Sequence, residues 1–335
     1  MTFPGNQALE AIDDMPPASA AAQALSDALH REQAQQGPRH CAVLFDPVLR
    51  PVNAGVPWAA WLPASRQVLP LPDKYFIAQT KPWLACLNLE RLPDSQALLY
   101  CLDDAFDEVG ATAHYGAKGR RQGGVLAFDA APAAVAQHLA NLLVQYDELN
   151  RLVQLRLSDA AVLTVLWQWL DAAQRRALLG PVQVWWAVDM LGAVHRLSRG
   201  EPPAAAAAAA DPGPAFALSA AQWADVRMIG YFNGALRRAR QGWGDGAHAL
   251  PEADLAWHLR VCLPALRWAR DAGLTQREDF EIVGLLALTV HSRFFDDAEL
   301  ADLFERCVLQ QQPFSAAFEA IDSLIWHRIA VHGPT

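Results

Sequence analysis

The sequence predicts an α+β fold: an N-terminal mixed α/β domain with a mainly antiparallel sheet, followed by an all-α C-terminal helical lobe. Three observations predict it. Short apolar runs such as "CAVLFD" (Cys41–Asp46), "GVLAFD" (Gly124–Asp129) and "VQVWWAV" (Val182–Val188) alternate with helical patterns as far as about residue 198. The stretch "RGEPPAAAAAAADPGPA", residues 199–215, is low in complexity, bounded by prolines and without an apolar face to pack. Beyond it the strand signals stop and helix starts take over. The expected organisation is an N-terminal extension with a helix at 1–37, the α/β domain at 38–198, a linker at 199–215 and the helical lobe at 216–332.

Taken in order, "ASAAAQALSDALHREQAQQG" reads as a helix with Ser19 at its N-cap and Gly37 past its end. "CAVLFD" suits a buried strand stopped by Pro47, and the Pro-rich segment up to Lys81 reads as irregular. "QALLYCLDD" and "GVLAFD" are strand candidates, joined through "GAKGRRQGG" (Gly116–Gly124), which reads as a surface loop. Asp129 is placed to cap a helix through "APAAVAQHLANLL", with Pro132 in its first turn. "LVQY" and "RLVQLRLS" flank the polar "DELN" as a hairpin, and Asp159 is an N-cap for one long helix closed by Gly180-Pro181. "VQVWWAV" then returns as a strand. In the lobe, "SAAQ" at Ser219 and "TQRE" at Thr275 match the capping box, and "LAWHLRVCLPALRWARDAG" has helical spacing with Pro264 inside and Gly273 as a stop. Four or five helices are expected to the end of the chain.

The 335 residues allow two or three domains, and 53% hydrophobic with 19% charged residues is the balance of a rather apolar globular protein. A formal net charge of -9 and a pI near 5.5 argue against nucleic acid as partner, because phosphate binding requires clustered Lys and Arg. The start "MTFPGNQALEAIDDMPP" lacks the basic and apolar regions of a leader, and no apolar run reaches the roughly 20 residues that span a bilayer. Cytoplasmic residence without membrane insertion is the expectation. The five cysteines, Cys41, Cys86, Cys101, Cys262 and Cys307, are odd in number and never spaced CxxC, as free buried thiols would be.

A search for chemistry returns little. There is no GxSxG nucleophile elbow, His327 and His332 are too far apart for adjacent helical ligands, and "GAKGRRQGG" lacks the Lys-Ser/Thr pair of a phosphate loop. Asp103/Asp104 and Asp296/Asp297 are acid pairs better explained by structure than by general acid-base work. No catalytic residue, metal site or cofactor is expected. That leaves twelve tryptophans, of which Trp167, Trp169, Trp185 and Trp186 fall within one short stretch. Tryptophan is enriched at protein interfaces, which makes these four candidate docking residues; the competing reading is that they fill the core between layers.

"CAVLFD" with Asp46, "KPWLACL" (Lys81–Leu87), "HLANLL" (His138–Leu143) and "LRLSDAAVL" followed by "LLGPVQVWW" together resemble the adaptor, or effector-chaperone, family of bacterial type VI secretion. Arg156, Asp159, Gly180, Pro181 and Trp185 fall on that family's Arg-x-x-Asp box, Gly-Pro stop and aromatic strand. Two positions depart from the pattern: Ala160 stands where the family usually has Pro, and Ala140 where it has a basic residue. The resemblance spans roughly residues 38 to 310. It implies a cytoplasmic, non-enzymatic adaptor that binds a toxic effector and promotes its loading onto the valine-glycine-repeat spike protein, with Asp46, Arg156, Asp159, Gly180 and Pro181 as structural residues. An enzyme with a site assembled from distant residues, or an unrelated helical scaffold protein, are the alternative readings.

Overall fold

The computed structural model describes residues 17–36, 40–49, 62, 66–111, 119–199, 216–241, 250, 252–318 and 321–334. The predicted linker lies outside these residues except for Arg199. The chain divides into two units, Met1–Ser219 and Ala220–Thr335, with the sheet in the first and helices in the second.

The first unit begins with α1 (Ala20–Gln36), where the Ser19 hydroxyl accepts from the Ala22 amide as an N-cap should. Then come β1 (His40–Phe45), β2 (Arg66–Val68), a 3₁₀ turn at Ala78–Thr80, β3 (Trp83–Leu87), α2 (Leu92–Ala111) and β4 (Gln122–Phe128). After these follow α3 (Pro132–Leu143), the short strands β5 (Val144–Tyr146) and β6 (Leu152–Gln154), α4 (Ala160–Trp169), α5 (Ala172–Leu179), β7 (Val182–Val188) and β8 (Val194–Ser198). The main sheet has the order β2-β3-β1-β4-β7-β8, and every pairing in it is antiparallel. β5 and β6 pair separately as a hairpin.

Helices cover this sheet on both sides. Cys41, Val43 and Phe45 of β1, Trp83, Ala85 and Leu87 of β3, and Val184 and Trp186 of β7 pack with Ala22, Leu25 and Leu29 of α1 and with Leu98, Cys101 and Leu102 of α2. Because side chains alternate along a strand, Ala42, Leu44, Leu84, Leu126 and Trp185 point the other way. They are equally buried, and α4 and α5 pack on β7 from that side while α3 lies against β2 and β3. Double coverage explains why β1, β4 and β7 read as near-continuous apolar runs.

Four sequence expectations are corrected. "QALLYCLDD" is helix, not strand: Ala97, Leu98, Cys101 and Leu102 recur at helical spacing and form one buried stripe of α2, which also carries Asp103 and Asp104. The helix begun at Asp159 breaks at Leu170, because Asp171 and Gln174 form a complete capping box that starts α5. Asp129 does not cap α3, whose N-cap is Ala131; its carboxylate takes the Gln183 amide instead. In the second unit the residue before the helix Arg277–Thr289 is Gln276 rather than Thr275, and no side chain caps that helix.

Both hairpins of the first unit close through the same aspartate-centred turn. In one, the Asp147 amide donates to the Arg151 carbonyl, and its carboxylate accepts from the Leu149 and Arg151 amides. In the other, Asp189 makes the matching bonds to Ala193, Leu191 and Ala193. The fourth residue of each turn, Asn150 (φ 56°) or Gly192 (φ 88°), takes the left-handed conformation that such a turn demands.

The second unit consists of α6 (Ala220–Gln241), α7 (Leu255–Asp271), α8 (Arg277–Thr289), a 3₁₀ turn at Phe294–Asp296, α9 (Ala298–Gln310), α10 (Phe314–Phe318) and α11 (Ser323–His332). Residues Asp279 to Leu288 of α8 are all buried, so this helix is the axis of the lobe. α6 approaches it closely at Gly284, where an added methyl would stand 2.6 Å from the Ala235 Cβ and 3.0 Å from the Cys262 Sγ. One turn away, Gly234 leaves room for the buried Glu281 carboxylate, which binds Arg238 Nε at 2.9 Å and Arg277 Nε at 2.7 Å. The remaining helices join through a chain of aromatic contacts, Trp268 to Phe304, Phe304 to Phe314, Phe314 to Phe318 and Phe318 to Trp326. Asp297, fully buried at the start of α9, ties α11 in through Arg328.

Two glycine substitutions test this packing. Gly284→Ala should lower stability by about 1–3 kcal/mol through overpacking against α6. Gly230→Ala, in the same lobe on α6 with open space around it, should raise stability by about 0.5–1 kcal/mol. Urea unfolding midpoints of both variants check the pair.

Candidate functional site

The densest group of functional side chains lies at one end of the sheet, where β1 ends, β4 begins and β7 ends. Arg120, Arg121 and Gln122 open β4; they are 1–3% exposed, so the Arg-Arg pair expected on a surface loop is buried. Residues 116–118 of that loop lie outside the described residues. Arg120 donates to the carbonyls of Val188 and Asp189 at the end of β7. The Arg121 guanidinium lies beside Asp104 and Glu108 of α2, and its backbone amide donates to the Glu108 carboxylate. A pair of cations next to a doubly covered strand must carry their partners inside with them; two arginines three residues ahead of the apolar run Val125–Phe128 were the signal in the sequence.

Two carboxylates complete the node. Asp46, directly after β1, accepts from the Val48 amide and from the Ser158 hydroxyl at 2.5 Å. Asp159 caps α4 by accepting from the Ala161 amide at 3.0 Å. Its carboxyl is raised to about 6: burial is the main cause and Asp46 adds to it, while Arg120 and the amides of Ala161 and Arg120 act in the opposite sense. The Arg-x-x-Asp spacing lets Arg156 and Asp159 either pair or position the strand-helix turn, and they do the second. Arg156 is exposed, its carbonyl receives the Asp159 amide in a turn, and the cation facing Asp159 is Arg120. Next along β7, Asp189 is fully buried and binds His195 Nε2 at 2.6 Å.

The Gly-Pro stop has an equally concrete role. Gly180 ends α5 with φ 51°, and a methyl group there would overlap the ring of His138 from α3. With no side chain in the way, His138 Nε2 reaches the Leu178 carbonyl at 2.9 Å and joins α3 to the end of α5. Burial lowers the His138 pKa, so the neutral ring with its proton on Nε2 makes this bond. Pro181 then leads directly into β7.

Of the four candidate docking tryptophans, three are core. Trp185 is fully buried and donates from Nε1 to the Gly123 carbonyl at 2.9 Å. Gly124 (φ 115°) is what lets it lie there, since any side chain would collide with the Trp186 backbone. Trp186 is 5% exposed beneath Arg196, and Trp167 is 9% exposed beneath Arg175, which also donates to the Trp167 carbonyl. Trp169 is half-buried. Burial favours the core reading for these three: helices occupy both faces of β7 around Trp185 and Trp186, and Trp167 packs within α4 under Arg175. Exposed apolar residues lie elsewhere, on the β5–β6 hairpin, where Tyr146 is 63% and Leu149 64% exposed.

Chemically, this arrangement orients strand ends and holds a proton on Asp159 under mildly acidic conditions. The Ser158 hydroxyl is fully buried and committed to Asp46. Among the described residues no three His, Cys, Asp or Glu side chains form a group able to hold a metal ion. The five cysteines are free thiols. No helix among the described residues is long and apolar enough to cross a membrane. No protein-family model, no curated protein and no solved structure matches the chain.

The Asp159 shift fixes the sign of a pH effect. Below about pH 4 the carboxyl is protonated folded or unfolded; between about pH 4 and 6 the folded chain holds the proton more tightly, so the stability this group contributes falls as pH rises through that window. Asp159→Asn keeps the cap oxygen without a titrating proton. Relative to it, the natural chain should gain stability on going from pH 7 to pH 4.5, by urea midpoints at each pH; a pH-independent difference contradicts the assignment. Separately, Trp185→Ala should cost about 3–5 kcal/mol, whereas Trp169→Ala should cost clearly less.

Proposed function

We propose that this chain is a cytoplasmic adaptor of the type VI secretion kind, one that binds a toxic effector and promotes its loading onto the valine-glycine-repeat spike protein. One observation carries the reading. The residues on which the resemblance rests, far apart in sequence, occupy the joints of a single three-layer domain. Asp46 takes Ser158 at the end of β1, Asp159 caps α4 beside Arg120, His138 and Gly180 lock α3 to α5, and Trp185 fills the far face of β7. A motif set of this type defines a domain architecture rather than a catalytic centre, which is what a family of binding proteins with varied partners would share. Arg156, which is exposed, is a motif residue available to a partner.

Affinity purification of the tagged chain from its own cells, with the secretion genes expressed and bound proteins identified by mass spectrometry, tests the proposal. Recovery of a toxin-like protein together with a spike protein is the expected result. Recovery of the chain alone under the same conditions would overturn it.

A further inference from the structure

The β5–β6 hairpin pairs separately from the main sheet, and its hydrogen bonds show which backbone groups it leaves outside. The Leu155 amide donates to the Leu143 carbonyl and the Asp147 amide to the Arg151 carbonyl. Bonded and non-bonded pairs alternate along an antiparallel ladder, so Gln145 and Val153 form the bonded pair between these two. The remaining pairs, Val144 with Gln154 and Tyr146 with Leu152, turn their amides and carbonyls away from the hairpin. On β6 the outward groups therefore belong to Leu152 and Gln154, both of them exposed.

Natural sheets guard such edges with charge or proline. β8, the outer strand of the main sheet, carries Arg196 at its centre, paired with Glu32. The β6 segment Leu152–Gln154 has neither charge nor proline. Its surface is apolar at one end, where Leu152 lies opposite Tyr146 and Leu149 is exposed at the turn. At the other end stands Arg156. Leu155 and Leu157 are buried on either side of it, and the Leu157 amide donates to the Leu155 carbonyl at 2.8 Å, closing a γ-turn that leaves Arg156 exposed. Arg151 is held by two bonds to Asp147, whereas Arg156 makes no ion pair among the described residues. Leu152 and Arg156 are at most about 13 Å apart along the strand.

We propose that the outer edge of β6 binds an extended segment of a partner protein as a third strand, with an apolar residue beside Leu152 and a carboxylate on Arg156. A row of unpaired backbone groups selects an extended chain over a helix, because only a strand presents free amides and carbonyls at matching intervals. The apolar end and the cation set its register, since a shift by one residue turns every side chain to the other face. The chain has a formal net charge of -9, so its overall field repels acidic segments and the attraction for a carboxylate is local to Arg156. A two-stranded hairpin gains stability from a third strand, and the Asp147 turn holds this one in place before anything binds. The proposal does not depend on the secretion reading; where that reading holds, the segment belongs to the effector.

The test measures binding of a fluorescein-labelled, end-blocked peptide, "STETTTITS", to the full chain by anisotropy. Laid antiparallel to β6, this probe puts its glutamate opposite Arg156, its fifth residue opposite Gln154 and its isoleucine opposite Leu152. Saturable binding is expected. N-methylation of the fifth residue and the isoleucine removes the amides that face β6 and should weaken binding at least about tenfold, since two hydrogen bonds are lost. N-methylation of the fourth and sixth residues, whose amides face away, should leave affinity within about threefold. Arg156→Glu in the chain should weaken binding, and replacing the probe's glutamate by lysine should then restore it about two- to fivefold, the range of an exposed ion pair. Thermal unfolding confirms that this variant is folded, and the methylated probes test the unaltered chain. Lack of saturable binding, equal affinity for the two methylated probes, or no recovery on charge exchange would each overturn the proposal. So would self-association of the chain that the probe competes away, which assigns the edge to a second copy.

Discussion

The constraint on which the first unit depends is a sheet buried on both faces whose strand ends must nevertheless carry charge. A strand covered on one side can place its polar residues on the other. Here β1, β4 and β7 have no polar side, so their charges are pushed to one end and must be satisfied inside the protein. Arg120 is the centre of that end. It reaches the β7 carbonyls, it is the cation facing Asp159, and Asp159 in turn fixes the start of α4. Remove this tie and the β4–β7 pairing, the helix cap and the Asp46–Ser158 contact lose a shared support.

The same constraint accounts for the cluster of tryptophans. A three-layer domain needs large side chains to fill the space between layers on both sides of a central strand, and β7 supplies one to each. Trp186 packs toward α1 and α2, while Trp185 points to the opposite face. Arginines lie over Trp186 and Trp167, so these rings contribute area to the core while a cation covers the edge nearest solvent. Gly124 lets β4 pass close to Trp185, and Gly123 leaves room for Ser158 and Leu44. Aromatic abundance here is an architectural property, and the surface open to partners lies at positions that composition does not single out.

Much of the fold was legible because periodicity and caps carry it. The strands at 41–46, 124–129 and 182–188, the hairpin around Asp147 and the N-cap at Asp159 all follow from local chemistry. What was not legible depends on contacts distant in sequence. Near residue 98 the helical spacing of Ala97, Leu98, Cys101 and Leu102 was present but lay within a continuous apolar run that also suits a strand. The break at Leu170 rests on Asp171 competing successfully as a cap within a pattern that continues apolar across it. Arg120 and Arg121 look like loop residues because their partners lie on α2, β7 and α4. For the candidate site, the motif positions were readable and their roles only in part: the turn that joins Arg156 to Asp159 follows from their spacing, whereas the cation that acts on the Asp159 carboxylate is a buried arginine thirty-six positions before Arg156.

The most direct test of the central role of Arg120 is a double-mutant cycle between Arg120→Met and Asp159→Asn, read by urea unfolding at pH 7. Arg120→Met alone should cost at least about 3 kcal/mol, since it leaves a buried carboxylate without its cation. Adding Asp159→Asn should recover part of that loss, giving a coupling energy of about 1 kcal/mol or more. A cost below about 1 kcal/mol for Arg120→Met, or strict additivity of the two changes, would contradict the account.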